Sequence, residues 1–197
     1  MPVMEINDRI SYVEASDNPL SADIGIIRGN GVTWLYDVGN GERSITGLND
    51  SYNVVLSHFH QDHTGNINRI RTRDVYASKE TCGHIQRGTV VNGDLYIGDL
   101  RIFPIPSSHV KGCLGLEIGH EFAFVGDALY SRVREDDYVY NATLLKDEIE
   151  TLKKLKAPFL LVSHYKGLIR PKEEAVAELE EIYGMREKNN PEIRVKR

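Results

Sequence analysis

The sequence predicts an α/β fold, a four-layer αββα sandwich in which two mixed β-sheets are flanked by helices. Three observations lead there. Two groups of short apolar runs, one between residues 9 and 77 and one between 94 and 125, are punctuated by Gly, Pro, Asn and Asp in the manner of strands. Each group is followed by segments of helical character, an order that places helices outside two packed sheets. His and Asp residues fall where apolar runs stop, at the strand ends where α/β-type sheets assemble their sites.

Taken in order, Arg9 to Ala15, Ile24 to Arg28 and Val32 to Val38 read as strands, with Gly29-Asn30-Gly31 as a tight hairpin turn between the last two. Asn53 to Ser57 is a compact apolar and β-branched run that stops at His58-Phe59-His60. Asp74 to Ala77 reads as a further strand, and Ser78 to Gln86 as a short helix with Ser78 as N-cap. A second set of antiparallel strands follows in Leu95 to Ile97, Arg101 to Ile105, Gly115 to Ile118 and Phe122 to Val125. Asn141 to Lys156 carries a helical stripe of Leu144, Leu145, Ile149, Leu152 and Leu155 that Ala157-Pro158 ends. Phe159 to Ser163 returns as a strand, and Pro171 opens a last helix to about Lys188. The charge runs of Lys146 to Lys156 and Lys172 to Lys188 read as solvated helix faces.

A chain of 197 residues with 41% hydrophobic and 27% charged residues can bury a substantial core, and we expect one domain over 1–197. A net charge of -5 lacks the basic footprint of a nucleic-acid binder. The start MPVMEINDRI is unlike a secretory signal and no stretch approaches a membrane span, so a cytoplasmic location is expected. Cys82 and Cys113 are too few for a disulfide framework and are not spaced as a metal-binding pair; both are expected to be reduced.

The chemistry concentrates at residues 58 to 63, His-x-His-x-Asp-His, where three imidazoles and a carboxylate fall within one tight loop. Nitrogen and oxygen donors at that density suit zinc, with iron or manganese as alternatives. A polar turn with merely exposed histidines is the rival reading, disfavoured because three of the seven histidines fall here in register. His109, Asp127 and His164 each sit at an expected strand end; singly each reads as a cap or turn residue, and only their joint pattern points to a site. His84 and His120 stand outside the pattern, the first on a helix and the second in a Gly119-His120-Glu121 turn.

These residues resemble the metallo-β-lactamase superfamily: the His-x-His-x-Asp-His box, then His109 with Gly112 and Gly115 after it, then Gly126-Asp127, then a late His164, over nearly the whole chain. The resemblance implies the αββα fold and two Zn2+ per chain, with Fe or Mn as alternatives. It implies that His58, His60 and His109 hold one ion and Asp62, His63 and His164 the other, with Asp127 bridging. Asp127 argues against a true β-lactamase, His60 against a diiron reductase, and the full second ligand set against a single-iron oxygenase. A short hydrolase remains, resembling hydroxyacylglutathione hydrolase-like thioesterases and lactonases, that cleaves a small thioester, ester or lactone with a hydroxide shared by two ions. A phosphodiesterase or ribonuclease of the same superfamily is one alternative, and a non-catalytic metal-binding protein another.

Around that centre, Asp62 is expected to orient the hydroxide and accept its proton, and Asp37 to hydrogen-bond a ligand histidine, with a plain strand-terminating cap as its nearly equal alternative. Tyr130, three residues after Asp127, matches lactonases whose tyrosine meets the substrate carbonyl, and packing beneath the loop is an equal alternative. The expected partner is a small molecule, with an anionic group met by Tyr165, Lys166, Arg132 or Arg134; Lys166 reads equally as a solvated loop charge, and for the two arginines a solvated loop is the favoured reading. No membrane partner is expected and nucleic acid is disfavoured. Asn66 stands where glycine is frequent in the family and bears on loop shape.

Overall fold

The structure is a computed structural model that describes residues 2–29 and 31–197. In chain order the first half forms β1 (Val3–Glu5), β2 (Ile10–Val13), β3 (Ser16–Asp17), β4 (Leu20–Ser21), β5 (Ile24–Gly29), β6 (Val32–Tyr36), β7 (Ser51–Val55), α1 (Gln61–Thr64), β8 (Arg71–Ala77), α2 (Lys79–Ile85) and β9 (Thr89–Val90). The second half forms β10 (Leu95–Ile97), β11 (Leu100–Ile105), β12 (Cys113–Ile118), β13 (Phe122–Gly126), β14 (Arg132–Arg134), β15 (Asp137–Asn141), α3 (Ala142–Lys154), β16 (Phe159–Val162), β17 (Ile169–Pro171), α4 (Lys172–Gly184) and β18 (Glu192–Lys196). A 3-10 turn, Glu42–Ile45, precedes β7. The expected hairpin joins β5 to β6, and its Asn30 lies outside the described residues.

One sheet runs β1-β2-β5-β6-β7-β8-β9, antiparallel up to β6 and parallel from there. The other runs β10-β11-β12-β13-β16-β17, antiparallel except for the parallel pair β13 and β16. Alternation along the strands divides the apolar residues between faces. Ile27, Trp34 and Tyr36 of the first sheet meet Ile102, Leu116 and Phe124 of the second in the central core. Ile24, Ile26 and Leu35 turn outward under the 3-10 turn and α2, where Ile45, Cys82 and Ile85 cover them. Phe103, Ala123, Val125, Leu160 and Val162 turn outward under α3 and α4, packed by Leu145, Ile149, Val176 and Leu179. The predicted αββα sandwich is the observed one.

The two sheets approach closely where Gly25 faces Phe124. A Cβ on Gly25 would stand 2.4 Å from the Phe124 ring, which itself stacks on Tyr36 at 4.9 Å between centroids. The Tyr36 hydroxyl donates to the Leu114 carbonyl at 2.7 Å, so the ring pair is pinned across the core. At Ser78 the helix start follows the predicted capping. Ser78 Oγ accepts from the Thr81 N–H, and Asn141 Oδ1 accepts from the Thr143 and Leu144 N–H groups.

Three readings need correction. The last helix ends at Gly184, not near Lys188, because the segment beyond it turns to feed β18. The Lys146 to Lys156 run is not wholly a solvated face: Glu148 lies one turn after Leu145 on the buried stripe and is fully buried, with neither carboxyl oxygen hydrogen-bonded. Burial pushes its pKa well above the ordinary carboxylate value. Finally, an unexpected third sheet, β14-β15-β18, stands beside α3 and α4. From the sequence, Arg132 and Arg134 read as loop residues, and no element is assigned to residues 137–140 or 192–196.

Candidate metal centre

The centre stands at the strand ends shared by both main sheets. In the second sheet β12 runs against both β11 and β13, and β16 runs parallel to β13, so β11, β13 and β16 all finish at one edge. Beyond those ends lie His109, Asp127 and His164, and beyond β7 of the facing sheet lies the 58–63 box. Two residues hold left-handed backbone to make these turns, Asp37 at φ 60° and His164 at φ 60°. Such conformations are costly for residues other than glycine and concentrate at functional sites. Gly126, at φ 55°, lets the loops converge: a Cβ there would stand 2.7 Å from Ser57 Cβ.

Each loop is pinned by the chain itself. His60 is the N-cap residue of α1 but makes no side-chain cap bond, leaving its ring for the cluster. Asn66 is buried and donates to the Val38 and Gly41 carbonyls and to Ser44 Oγ, tying the box to the 38–44 loop. Ser107 Oγ accepts from the His109 N–H at 3.1 Å and donates to the Ala128 carbonyl at 2.7 Å, joining the His109 and Asp127 loops. Asp23, buried and not singled out from the sequence, accepts from the His164 N–H at 2.9 Å and the Ala15 N–H at 3.0 Å.

Two groups of donor atoms result. His58, His60 and His109 each offer one ring nitrogen, and these lie within 4.8 Å of one another; Asp62, His63, Asp127 and His164 form a second group by the same measure. In the first, His58 Nε2 and His109 Nε2 stand 2.9 and 3.1 Å from His60 Nδ1. Asp127 faces both groups: its Oδ2 lies 3.6 Å from His109 Nε2, 3.3 Å from His63 Nε2 and 3.9 Å from His164 Nε2. Asp62 Oδ2 lies 3.1 Å from His164 Nε2 and 3.4 Å from His63 Nε2.

Asp37 stands behind the cluster as expected. Its Oδ2 accepts from His63 Nδ1–H and from the Ser57 hydroxyl, both at 2.7 Å, and its Oδ1 accepts from the Ser57 N–H at 2.7 Å. The Ser57 oxygen in turn stands 3.0 Å from His58 Nδ1. Because the Ser57 proton is committed to Asp37, that oxygen receives a proton from His58 Nδ1. Both rings therefore turn Nε2 toward the centre. His63 Nε2 is buried and unpartnered, as is Asp127 Oδ1, and orphaned donors and acceptors of this kind are costly unless something meets them.

Charge follows the same division. Burial, then the neighbouring imidazoles, drives His58 far below the usual histidine range; burial likewise lowers His60 and His109 although Asp62 and Asp127 oppose it. The first group is thus three neutral imidazoles. Burial also disfavours the charged His63, but Asp37 and Asp127 outweigh it and raise its pKa well above the usual value. The hydrogen bond to Asp62 raises His164. Asp62 is held below the ordinary carboxylate range, with burial outweighed by His164 and His63.

The centre opens into a cavity of about 910 Å3 lined by His60, Asp62, His109, Asp127, Tyr130 and His164 on one side. The other side is the β14-β15-β18 sheet and α4, through Val133, Tyr138, Tyr140, Ile182 and Val195. Tyr130 lines the cavity while its hydroxyl donates to the Ser163 carbonyl at 2.8 Å. Tyr165, Lys166, Arg132 and Arg134 are not on the lining. Arg170 stands 5.6 Å over the Tyr165 ring, and Arg134 pairs with Glu192 at 2.9 Å. The cations on the lining are Lys196 and Arg197 instead. His84 lies on α2 against Phe59, and His120 occupies its turn at φ 64°, both outside the cluster. Cys82 and Cys113 are both free thiols.

No family model matches the sequence, and neither does any curated protein. Solved structures do match in fold. The MIM-2 metallo-β-lactamase superposes with a TM-score of 0.69 at 17% identity, over 91% of this chain and 88% of that one. A metallo-β-lactamase from Cronobacter sakazakii, a mutant in its HARLDQ motif, gives 0.67 at 14% identity, over 93% and 96%. An archaeal metallo-β-lactamase superfamily protein from Sulfolobus tokodaii gives 0.62 at 17% identity, over 93% and 90%. The chain has the metallo-β-lactamase fold, shared with members of that superfamily.

Proposed function

We propose that the chain is a metal-dependent hydrolase of a small thioester, ester or lactone. The observation that carries this reading is the pair of adjoining donor groups with Asp127 Oδ2 facing both, and with His63 Nε2 and Asp127 Oδ1 buried and unpartnered. Three neutral imidazoles on one side and a carboxylate-rich set on the other fit nitrogen- and oxygen-loving divalent ions such as zinc. His58, His60 and His109 would hold one ion, Asp62, His63 and His164 the other, with Asp127 between them. Such ions, when bound, acidify water and polarise a carbonyl.

The chain's own residues supply the rest. Asp37 and Ser57 fix the His63 and His58 rings so that their Nε2 atoms are presented without reorganisation. Asp62, held ionised by His164, would accept the proton of the attacking water. The water oxygen bonds to the acyl carbon, the acyl carbon–oxygen or carbon–sulfur bond breaks, and the proton passes to the departing alkoxide or thiolate. Tyr130, whose proton is given to Ser163, supports the His164 loop from beneath, which favours the packing alternative over direct contact with a carbonyl.

The test is turnover of a panel of thioesters, aryl esters, lactones and phosphodiesters by protein stripped with chelator and then reloaded with Zn2+, Fe2+ or Mn2+. Carbonyl-ester turnover that vanishes on stripping and returns on reloading supports the reading. Turnover of phosphodiesters alone would replace it with the phosphodiesterase alternative, and metal binding without any turnover with the non-catalytic one.

A further inference from the structure

We propose that the face of the β14-β15-β18 sheet is an acyl-binding wall, and that the substrate's acyl part is an apolar chain rather than a short polar group; this rests on the hydrolase reading above. The registers place Val133 opposite Tyr138 and Tyr138 opposite Val195, so the three side chains form one continuous cross-strand row. All three line the cavity that holds the metal-centre residues. Tyr140 extends the same face, and Ile182 of α4 closes its inner end. Strand alternation sends most of the charged residues to the opposite face, where Arg134 meets Glu192 and Arg194 meets Asp137, while Lys196 at the strand end reaches the lining.

The row is apolar yet open to solvent, with Val133 56% and Tyr138 38% exposed, and Leu20, 51% exposed, stands on the same lining. Exposed apolar residues gathered in one concavity mark a binding surface, whereas single ones scattered over a protein do not. The occupant is a small molecule because a cavity of about 910 Å3 is of ligand size and continuous with the centre. Charge on the wall is largely satisfied from within: Glu178 is held by Arg170, and Lys196 by Asp137 at 2.9 Å. Arg197 is the remaining cation of the lining apart from histidine.

The experiment measures kcat/KM for aryl esters that share one leaving group and lengthen from acetyl to decanoyl, together with calorimetric binding of decanoate and of acetate. Each methylene laid on the wall is expected to raise kcat/KM about two- to fourfold, since burying a CH2 is worth up to ~0.8 kcal/mol. Val133→Asn and Tyr138→Ser should lower the decanoyl value about five- to tenfold relative to the acetyl value. Val90→Asn, an exposed apolar residue on β9 away from the cavity, should leave the chain-length dependence as it is. Esters turned over with no gain in length, and decanoate bound no better than acetate, would overturn the wall while leaving the hydrolase intact. No ester turnover, but decanoate bound more tightly than acetate and lost in Val133→Asn, would overturn the hydrolase and support the wall. Absence of both effects would overturn both.

Discussion

Replacing Asp37 by Asn tests how the centre is held. The carboxylate is buried and accepts three hydrogen bonds of 2.7 Å, two from Ser57 and one from His63. Asn has nearly the same size and tolerates the left-handed φ of 60° at this position, so the substitution isolates the loss of charge and of one acceptor. With the amide oxygen kept on the Ser57 N–H, the NH2 group confronts both the Ser57 hydroxyl and His63 Nδ1–H. The hydroxyl can rotate away. His63 can escape only by moving its proton to Nε2, which caps the nitrogen it offers to the centre. A hydrogen bond to a charged group is worth about 1.5–3 kcal/mol. That matches the ~10- to 100-fold loss of metal affinity usual when such a partner is removed, at about 1.4 kcal/mol per tenfold. Competition of both proteins with a chromophoric chelator for Zn2+ gives the affinities, and thermal melts of the metal-free chains check that the fold is kept. An Asn variant that binds Zn2+ within about threefold of wild type would refute the role given to Asp37.

Asp23→Asn leaves one acceptor for the Ala15 and His164 N–H groups, and should weaken Zn2+ about tenfold at the group of Asp62, His63 and His164 while sparing the His58 group; equal weakening of both in a two-site titration would contradict it. Glu148→Leu should add ~1–3 kcal/mol in urea unfolding at neutral pH, because it removes an unpartnered buried carboxyl. The folded chain holds that proton above the ordinary value of 4.5, so the contribution of Glu148 to stability is full below about pH 4.5 and is lost as pH rises toward the folded value, and the variant should lose this component of the pH dependence. Gly25→Ala should cost ~1–3 kcal/mol, since the Phe124 ring 2.4 Å from the new Cβ is fixed by Tyr36; an unchanged urea midpoint would show that the sheets can part.

Much of this arrangement was legible in the sequence because each part had a local cause. The 58–63 box follows a β-branched run, and a strand that stops before histidines can be recognised from that run alone. Ser78 caps its helix by chemistry contained within three residues. The third sheet was missed because its strands lie far apart in the chain, with β18 pairing to β15 across α3, β16, β17 and α4. Its signal was present in the alternation of Arg132-Val133-Arg134 and of Glu192-Ile193-Arg194-Val195-Lys196. Period-two patterns of three to five residues do not show which partner they will find. The same limit applied to Asp23, whose partner His164 is distant in sequence and whose role depends on a backbone N–H. Glu148 was read as solvated because charge outweighed its register with Leu145. Arg132 and Arg134 were weighed as anion binders when their neighbour Val133 is the one that faces the cavity.

The central claim is that two donor groups share Asp127, and metal stoichiometry tests it most directly. Elemental analysis of dialysed protein should find roughly two divalent ions per chain in wild type and one or fewer in Asp127→Ala. The two-ion state should also be lost in His58→Ala and in His63→Ala, one variant from each group. About one ion in wild type, unchanged by Asp127→Ala, would contradict the shared centre.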